Sequence, residues 1–177
     1  MSAICAIYQL DKKSVLEADL IKLNQAMQHH GQDGNGLKID NHCGLAQQVT
    51  CLTTEALKQK FPLYDTVHNI TLVSHCRLFN YEELCAKLSS HDNKSILSDI
   101  ELILLAYLKW KLDFVNYLIG EFSIILWDAS IKQLVCVTDH FNSRPLYYYL
   151  SSKTLVIASE IYALFYLNQV PRQPNLN

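Results

Sequence analysis

Cysteine and histidine are the residue types in this chain that most readily carry chemistry, because thiolates and imidazoles act as nucleophiles, proton carriers and metal ligands. The chain has six cysteines, at positions 5, 43, 51, 76, 85 and 136. It has seven histidines, at positions 29, 30, 42, 68, 75, 91 and 140. No cysteine pair has C-x-x-C spacing and no histidine pair has H-E-x-x-H spacing, so the sequence predicts no metal site. The cysteines are expected to be reduced and mostly buried.

A glycine-rich stretch at residues 31–36 is the other pattern that could carry chemistry. A phosphate-binding loop of this kind follows a strand, whereas this stretch follows a predicted helix, and no G-K-[ST] occurs in the chain. We therefore predict a glycine turn here and no nucleotide site. The carboxylates are scattered, and their spacing alone pairs none of them for acid–base catalysis.

Length and composition place the chain among single-domain globular proteins. It has 177 residues, of which 50% are hydrophobic and 18% charged, so a sizeable core can form. A net charge of -2 gives no electrostatic reason to bind nucleic acid or an anionic membrane. The longest apolar run, residues 102–108, is too short to span a bilayer, and the first residues lack a signal-peptide pattern. We therefore expect a cytoplasmic location.

The first two thirds of the chain combine predicted strands and helices, which must position these residues. Apolar runs predict three strands, at residues 3–10, 44–51 and 70–78. Capping-box patterns predict helices that begin at Ser14 and Ser98; the first ends before Gly31, and the second, apolar nearly all round, runs to about Lys111. Weaker signals predict a short turn or helix at 53–60, a helix at 81–88 capped by Asn80, and a polar loop at 91–94.

The last third of the chain changes character and is rich in strand-forming residues. Four short strands are predicted, at residues 122–127, 133–138, 146–150 and 154–159. Residues 128–132 and 151–153 are predicted hairpin turns, and residues 160–167 a final helix. Strands at both ends of the chain with helices between them predict an α+β sandwich.

The order of these pieces resembles the N-terminal glutaminase domain of asparagine synthetases, a class II glutamine amidotransferase. Five stretches resemble the family patterns: residues 27–36 (M-x-H-R-G-P-D-G-x-G), 98–110 (S-D-x-E-L-I-L-x-x-Y-x-x-W), 118–128 (L-x-G-x-F-A-F-x-[LI]-W-D), 139–148 (D-x-x-G-x-[RK]-P-L-Y-Y) and 158–160 (S-E before the final helix). The chain departs from them with His30 for arginine, Gln32 for proline and Asn142 for glycine. These matches follow one another in the family's order over nearly the whole chain.

The resemblance implies the N-terminal-nucleophile (Ntn) hydrolase fold, a four-layer α-β-β-α sandwich of the α+β class. It implies an amidotransferase type 2-like domain at residues 1–168 and a linker at residues 169–177 that leads toward a synthetase domain. That second domain is expected outside this sequence, because 177 residues cannot hold both domains and no S-G-G-x-D-S loop is present.

The resemblance also implies where the nucleophile would stand. The active family has a cysteine directly after the initiator methionine, and removal of that methionine frees an α-amine that serves as the base. This chain has Ser2 at that position, which is small enough to be left N-terminal in the same way. Cys5, three residues on, is expected to be a core residue of the first strand.

Several positions of the glutamine pocket differ from the family by this alignment. Val49 stands where the family has the arginine that binds the glutamine carboxylate. His75 and Cys76 replace the Asn-Gly pair of the oxyanion hole. Asp99, at the position that binds the substrate amine, is retained, although a carboxylate in a first helical turn is also stabilised by the helix dipole alone. Together these changes predict that glutamine hydrolysis is lost.

This pattern is similar to the divergent branch of the family that contains lasso-peptide macrolactam synthetases and β-lactam synthetase. In that branch the C-terminal domain adenylates a carboxylate with ATP, and the substrate supplies the attacking amine. We therefore expect no cofactor in this chain, with ATP and Mg²⁺ bound only by a synthetase domain. The expected partners are that domain, in the same chain or a separate one, and a second copy of this chain.

Two other functions stay open at this point. Ser2 could serve an amidohydrolase of the Ntn type, with glutamine or another amide as its substrate. Alternatively, the chain could be a solitary ligand-binding or regulatory module, whose pocket would be distinguished by His75 and Cys76.

Overall fold

The computed structural model of the chain describes residues 2–50, 61–88 and 97–173. Within these ranges the strands form two antiparallel sheets. The first sheet has the order β2-β3-β1-β9-β8: β1 (Ala3–Gln9), β2 (Gly34–Asp40), β3 (Cys43–Val49), β8 (Tyr147–Leu150) and β9 (Thr154–Ala158). The second sheet has the order β4-β5-β6-β7: β4 (Leu63–Asp65), β5 (Ile70–Leu78), β6 (Gly120–Asp128) and β7 (Gln133–Thr138).

Helices cover the outer face of each sheet. The first sheet packs against α1 (Glu17–Gln25) and α4 (Ile161–Leu164), and the second against α2 (Tyr81–Leu88) and α3 (Asp99–Trp110). A third apolar cluster fills the space between the two sheets. The layers are therefore helix, sheet, sheet and helix, as the family resemblance implies.

Strand β1 is buried on both faces because its residues alternate between two cores. Ile4 and Ala6 pack between the sheets, whereas Cys5 and Ile7 pack under α1 and α4. Cys5 is fully buried, and this burial raises the pKa of its thiol far above the usual range. Its predicted role as a core residue is confirmed.

Helix α3 begins where the sequence places it. The hydroxyl of Ser98 accepts a hydrogen bond from the backbone N–H of Glu101, and the Glu101 carboxylate accepts one from the backbone N–H of Ser98. Its apolar side chains meet the second sheet, α2 and a 3-10 segment at Lys111–Tyr117, so it is covered on several sides. Tyr107 of this helix is buried, and its hydroxyl donates a hydrogen bond to Asp128 on β6 over 3.0 Å.

The predicted start of the first helix at Ser14 is wrong. Helix α1 begins at Glu17, with Leu16 as its N-cap residue and no side-chain cap. The hydroxyl of Ser14 instead donates to Asn41 in the turn between β2 and β3. A side chain from another part of the chain competes successfully with the local cap.

Three other boundaries differ from the sequence prediction. The glycine stretch forms a turn only as far as Asp33, because Gly34 and Gly36 already pair with β3. The three-residue strand β4 carries no alternating pattern and forms by pairing with β5. The final helix has four residues instead of eight. The predictions at 53–60 and 91–94 lie outside the described residues. Among the residues that the structure describes, no helix is long and apolar enough to cross a membrane.

Candidate functional site

A cleft of about 380 Å³ opens beside the first residue of β1. Its polar lining comes from five segments that are distant in sequence and includes Ser2, His30, His75, Arg144 and Glu160. Aromatic side chains of β8 and α4 complete its wall, namely Tyr147 and Tyr162. The two sheets and α4 therefore meet at this cleft.

Ser2 lies in the cleft, directly before β1. Its hydroxyl oxygen accepts a hydrogen bond from the backbone N–H of Thr50 over 3.3 Å. The hydroxyl of Thr50 in turn donates to the carbonyl of His30 over 2.7 Å. The ends of β1, β3 and the 3-10 turn Gln28–His30 are thus joined around the Ser2 side chain.

His75 is the predicted pocket residue that the structure brings beside Ser2. It lies near the end of β5, opposite Ser123 of β6. Burial is the main cause that lowers the pKa of His75 to about 4, and the positive charges of Arg144 and His30 contribute to the same shift. The imidazole is therefore neutral at pH 7 and can donate one hydrogen bond and accept another.

Cys76, the neighbour of His75, does not line the cleft. Successive residues of a strand point to opposite faces, so the Cys76 side chain packs toward the helix layer over the second sheet. Its sulfur lies 3.3 Å from the hydroxyl oxygen of Ser74. Burial raises the pKa of the Cys76 thiol to about 12, so this thiol is a poor nucleophile at neutral pH.

Val49 and Asp99 also lie outside the cleft lining. Val49 is 4% exposed, at the end of β3. The Asp99 carboxylate accepts a hydrogen bond from the backbone N–H of Leu78 over 3.1 Å and so joins the start of α3 to the end of β5. Burial raises the pKa of Asp99, and this effect outweighs the opposing ones of the Leu78 N–H and of Arg77.

The loop that carries Arg144 is organised by Asp139. This carboxylate accepts hydrogen bonds from the backbone N–H groups of Phe122, Phe141 and Ser143. Burial raises the pKa of Asp139, but these backbone donors overcome that effect and keep it below the usual range. Asn142 has a positive φ of 52°, which this residue type tolerates. The loop places Arg144 in the cleft, where it pairs with Glu121 at 2.9 Å.

Three residues beside the cleft converge on one point. The Nε2 atoms of His29 and His30 lie 3.1 and 2.7 Å from the same carboxylate oxygen of Glu160. Burial raises the pKa of Glu160, but the two imidazoles outweigh it and lower the pKa. The spacing of these residues in sequence contains no signal for this cluster, since about 130 residues separate the histidines from the glutamate.

The cleft thus combines a serine hydroxyl, a neutral imidazole and a guanidinium, a set that can hydrogen-bond an amide or a carboxylate. Sequence reasoning identified Ser2 and His75 but assigned no role to His30, Arg144 or Glu160. His30, Arg144 and Glu160 each lie inside one of the family-like stretches, so the order of those stretches was the signal for all three.

Comparison with known sequences matches the whole chain to one family. The family model described as "Glutamine amidotransferase domain" matches residues 1–177. "Asparagine synthetase [glutamine-hydrolyzing] 2" of Bacillus subtilis (strain 168) is 32% identical over 150 residues, which are 85% of this chain and 20% of that protein. "Amidase chry2" of Gibberella zeae is 29% identical over 153 residues, which are 85% of this chain and 23% of that protein.

A third relative extends the match. The "Putative asparagine synthetase [glutamine-hydrolyzing] 2" of Methanocaldococcus jannaschii is 24% identical over 183 residues, covering 93% of this chain and 35% of that protein. This chain therefore spans between a fifth and about a third of the lengths of these three relatives.

Solved structures share the fold. The glutamine phosphoribosylpyrophosphate amidotransferase of B. subtilis, complexed with ADP and GMP, superimposes with a TM-score of 0.69 at 17% identity, over 92% of this chain and 43% of that one. The allosteric regulatory enzyme of purine biosynthesis gives a TM-score of 0.73 at 16% identity, over 93% and 43% of the two chains. The expected Ntn-type sandwich is confirmed, and the chain belongs to the glutamine amidotransferase domain family.

Proposed function

We propose that this chain is the amidotransferase-like domain of an asparagine synthetase-like, ATP-dependent amide ligase and does not hydrolyse glutamine. In this proposal the domain supports a synthetase domain, carried in the same chain or in a separate one, which binds ATP and Mg²⁺. The substrate supplies its own amine, as in lasso-peptide macrolactam synthetases and β-lactam synthetase. The ligase would act in the cytoplasm.

The observation that carries this proposal is the side chain at the position of the carboxylate-binding arginine. Val49 is apolar and 4% exposed, and it lies on the same face of β3 as Leu45, which packs between the sheets. The valine side chain itself offers an α-carboxylate no charged donor, and such a donor makes hydrogen bonds about twice as strong as neutral ones. The guanidinium in the cleft, Arg144, is already paired with Glu121.

The nucleophile position supports the same conclusion. A hydroxyl is a weaker nucleophile than a thiol at neutral pH, and it needs a base that removes its proton. The nearby imidazole of His75 has its pKa lowered to about 4 and is a weak base, so Ser2 would depend on the α-amine that removal of Met1 frees. The Cys76 thiol points to the opposite face of β5 and cannot replace the missing nucleophile.

The test compares the wild-type chain with Ser2→Ala. Each protein is incubated with glutamine, and glutamate release is followed by a coupled dehydrogenase assay, after mass spectrometry of the N-terminus has established whether Met1 is removed. We expect the two rates to be equal, because no reaction depends on the Ser2 hydroxyl. If the wild type released glutamate and Ser2→Ala did not, the proposal would be contradicted. The chain would then be a serine-dependent amidohydrolase.

A second arm tests the link to a ligase. In the intact ligase, Ser2→Ala is expected to leave product formation from the substrate's own amine unchanged while no glutamine is consumed. A ligase that forms product only with glutamine, and loses that product in Ser2→Ala, would show that the cleft delivers ammonia.

A further inference from the structure

His29 and His30 are adjacent in sequence, yet both side chains contact the same carboxylate oxygen of Glu160. Neighbouring residues on a helical turn point in different directions, so they do not normally share one partner. Here the 3-10 turn Gln28–His30 brings both rings to one carboxylate oxygen, with ring centroids 4.3 Å apart. The cluster therefore presents three potential ligand atoms from two segments, all within 4.8 Å of one another.

We propose that His29, His30 and Glu160 form a binding site for a zinc ion at the wall of the cleft. Two imidazole nitrogens and one carboxylate oxygen are ligands that Zn²⁺ accepts in a tetrahedral site with one open position. At the usual bond lengths, a nitrogen and an oxygen bound to the same zinc ion are about 3.3 Å apart. The Nε2 atoms of His29 and His30 lie 3.1 and 2.7 Å from the Glu160 oxygen, so the side chains need to move outward only slightly to admit the ion.

The burial of these side chains fits a site that exchanges its ion with solvent. The side chain of His29 is 58% exposed, whereas those of Glu160 and His30 are 29% and 21% exposed. Exposed side chains can make the small rotations that the site requires. His30 and Glu160 also line the cleft that contains Ser2, so the fourth position of the ion is available to a water molecule or to a ligand in the cleft.

The backbone around the three residues is held in place before any ion binds. The Ser159 N–H donates to the carbonyl of Ile4, and the Ser159 hydroxyl accepts from the N–H of Ile4, so Glu160 follows a segment fixed to β1. On the other side, the carbonyl of His30 accepts from the hydroxyl of Thr50. Such prior ordering reduces the entropy lost when the ligands close around a metal.

The competing explanation is a shared proton, in which Glu160 is paired with a protonated imidazole and no metal binds. The two explanations predict different results when metal is added. Zinc requires both imidazoles in the neutral form, so its binding releases protons and weakens as the pH falls. A shared proton gives no saturable zinc binding through these residues.

The experiment titrates the full, reduced and metal-free chain with ZnCl₂ against a chromophoric chelator at pH 7.5. One site is expected, and His30→Ala and Glu160→Gln are each expected to weaken it by about tenfold or more. His68→Ala is the matched control, because His68 pairs with Asp65 at 2.6 Å but no third ligand joins this pair among the described residues. It is expected to keep the wild-type affinity.

Co²⁺ distinguishes these ligands from the chain's cysteines. Cobalt bound by imidazole and carboxylate absorbs weakly in the visible range, whereas a thiolate ligand adds an intense near-ultraviolet band. That intense band, or unchanged zinc affinity in both site variants, would overturn the proposal, as would the absence of saturable binding. Circular dichroism checks that the variants fold, and exposed His29→Ala provides a third variant if His30→Ala does not fold. No readout depends on glutamine hydrolysis, so failure of the proposed function would leave this test intact.

Discussion

At the scale of single residues, His75 shows how a polar group is accommodated where the two sheets meet. Its ring lies near the end of β5, next to a cleft that also contains Arg144. Burial and neighbouring positive charge both disfavour the protonated imidazole, so its pKa is lowered to about 4. The residue is therefore neutral in the folded chain under conditions in which an unfolded chain would protonate it.

This shift predicts how His75 makes stability depend on pH. Between the ordinary pKa of 6.5 and the folded value of about 4, the unfolded chain binds a proton that the folded chain does not. The contribution of His75 to the free energy of unfolding therefore falls as the pH drops through 6.5 and levels off below 4. Between pH 7 and pH 5 the free energy of unfolding of His75→Gln is expected to fall by about 1 kcal/mol less than that of the wild type, after allowance for solvent screening. Urea denaturation at the two pH values measures both changes.

His140→Gln is the control for this measurement, because it removes an imidazole from the exposed surface. This variant is expected to lose as much free energy of unfolding between pH 7 and pH 5 as the wild type does. If His75→Gln and the wild type lost the same free energy between the two pH values, His75 would titrate normally and the cleft would not disfavour its charged form.

The residues of the site were predictable only in part, and the reason is their separation along the chain. Ser2 and His75 could be named because each stands at a position that a family motif defines. His30 and Glu160 could not be paired, because about 130 residues separate them and the pairing of β1 with both β3 and β9 brings them together. Cys76 could be aligned with the pocket, but only its packing in the folded chain shows which face of the sheet its side chain occupies.

At the scale of elements, the two serines predicted to cap helices behave differently. Ser98 makes the reciprocal capping box with Glu101, whereas Ser14 bonds to Asn41 and lies outside α1. The same local pattern thus starts a helix only where no distant side chain takes the hydroxyl. Strong apolar elements such as β1, β6 and α3 were predictable, but β2 and β4 form through pairing with a neighbouring strand and carry little signal of their own.

This difference predicts unequal effects of two alanine substitutions. Ser98→Ala removes the cap of α3 and is expected to lower the free energy of unfolding by about 1 kcal/mol. Ser14→Ala removes only an exposed side-chain hydrogen bond and is expected to change it by less than about 0.5 kcal/mol. Urea denaturation followed by circular dichroism measures both. Equal losses in the two variants would show that the α3 cap contributes nothing beyond a surface contact.

At the scale of the whole molecule, Trp127 connects the two sheets. It lies on β6 and is 1% exposed, and its indole N–H donates to Asp40 of β2 over 2.7 Å. Its ring also contacts those of Tyr8 and His42, with centroids 5.6 and 5.3 Å away. One side chain thus combines a hydrogen bond and aromatic packing across the interface between the sheets.

Replacing Trp127 by phenylalanine is therefore expected to destabilise the whole sandwich. Trp127→Phe leaves a cavity between the sheets and removes the partner of Asp40, which together should cost about 3 kcal/mol. Trp110, the other tryptophan, stacks on Tyr117 at 3.9 Å near the surface, and Trp110→Phe is expected to cost about 1 kcal/mol or less. The comparison uses urea denaturation followed by circular dichroism, and a smaller loss for Trp127→Phe would contradict the assigned role.

The position of β1 in the first sheet has a consequence for synthesis of the protein. Strand β1 lies between β3 and β9, and the hydrogen bond from the N–H of Ile4 to Ser159 spans 155 residues. At ribosomal speeds of about 5–20 residues per second, β9 emerges roughly 8–30 s after β1. During that interval one edge of a highly apolar strand has no partner, so the nascent chain has to be shielded from aggregation until translation has nearly finished this domain.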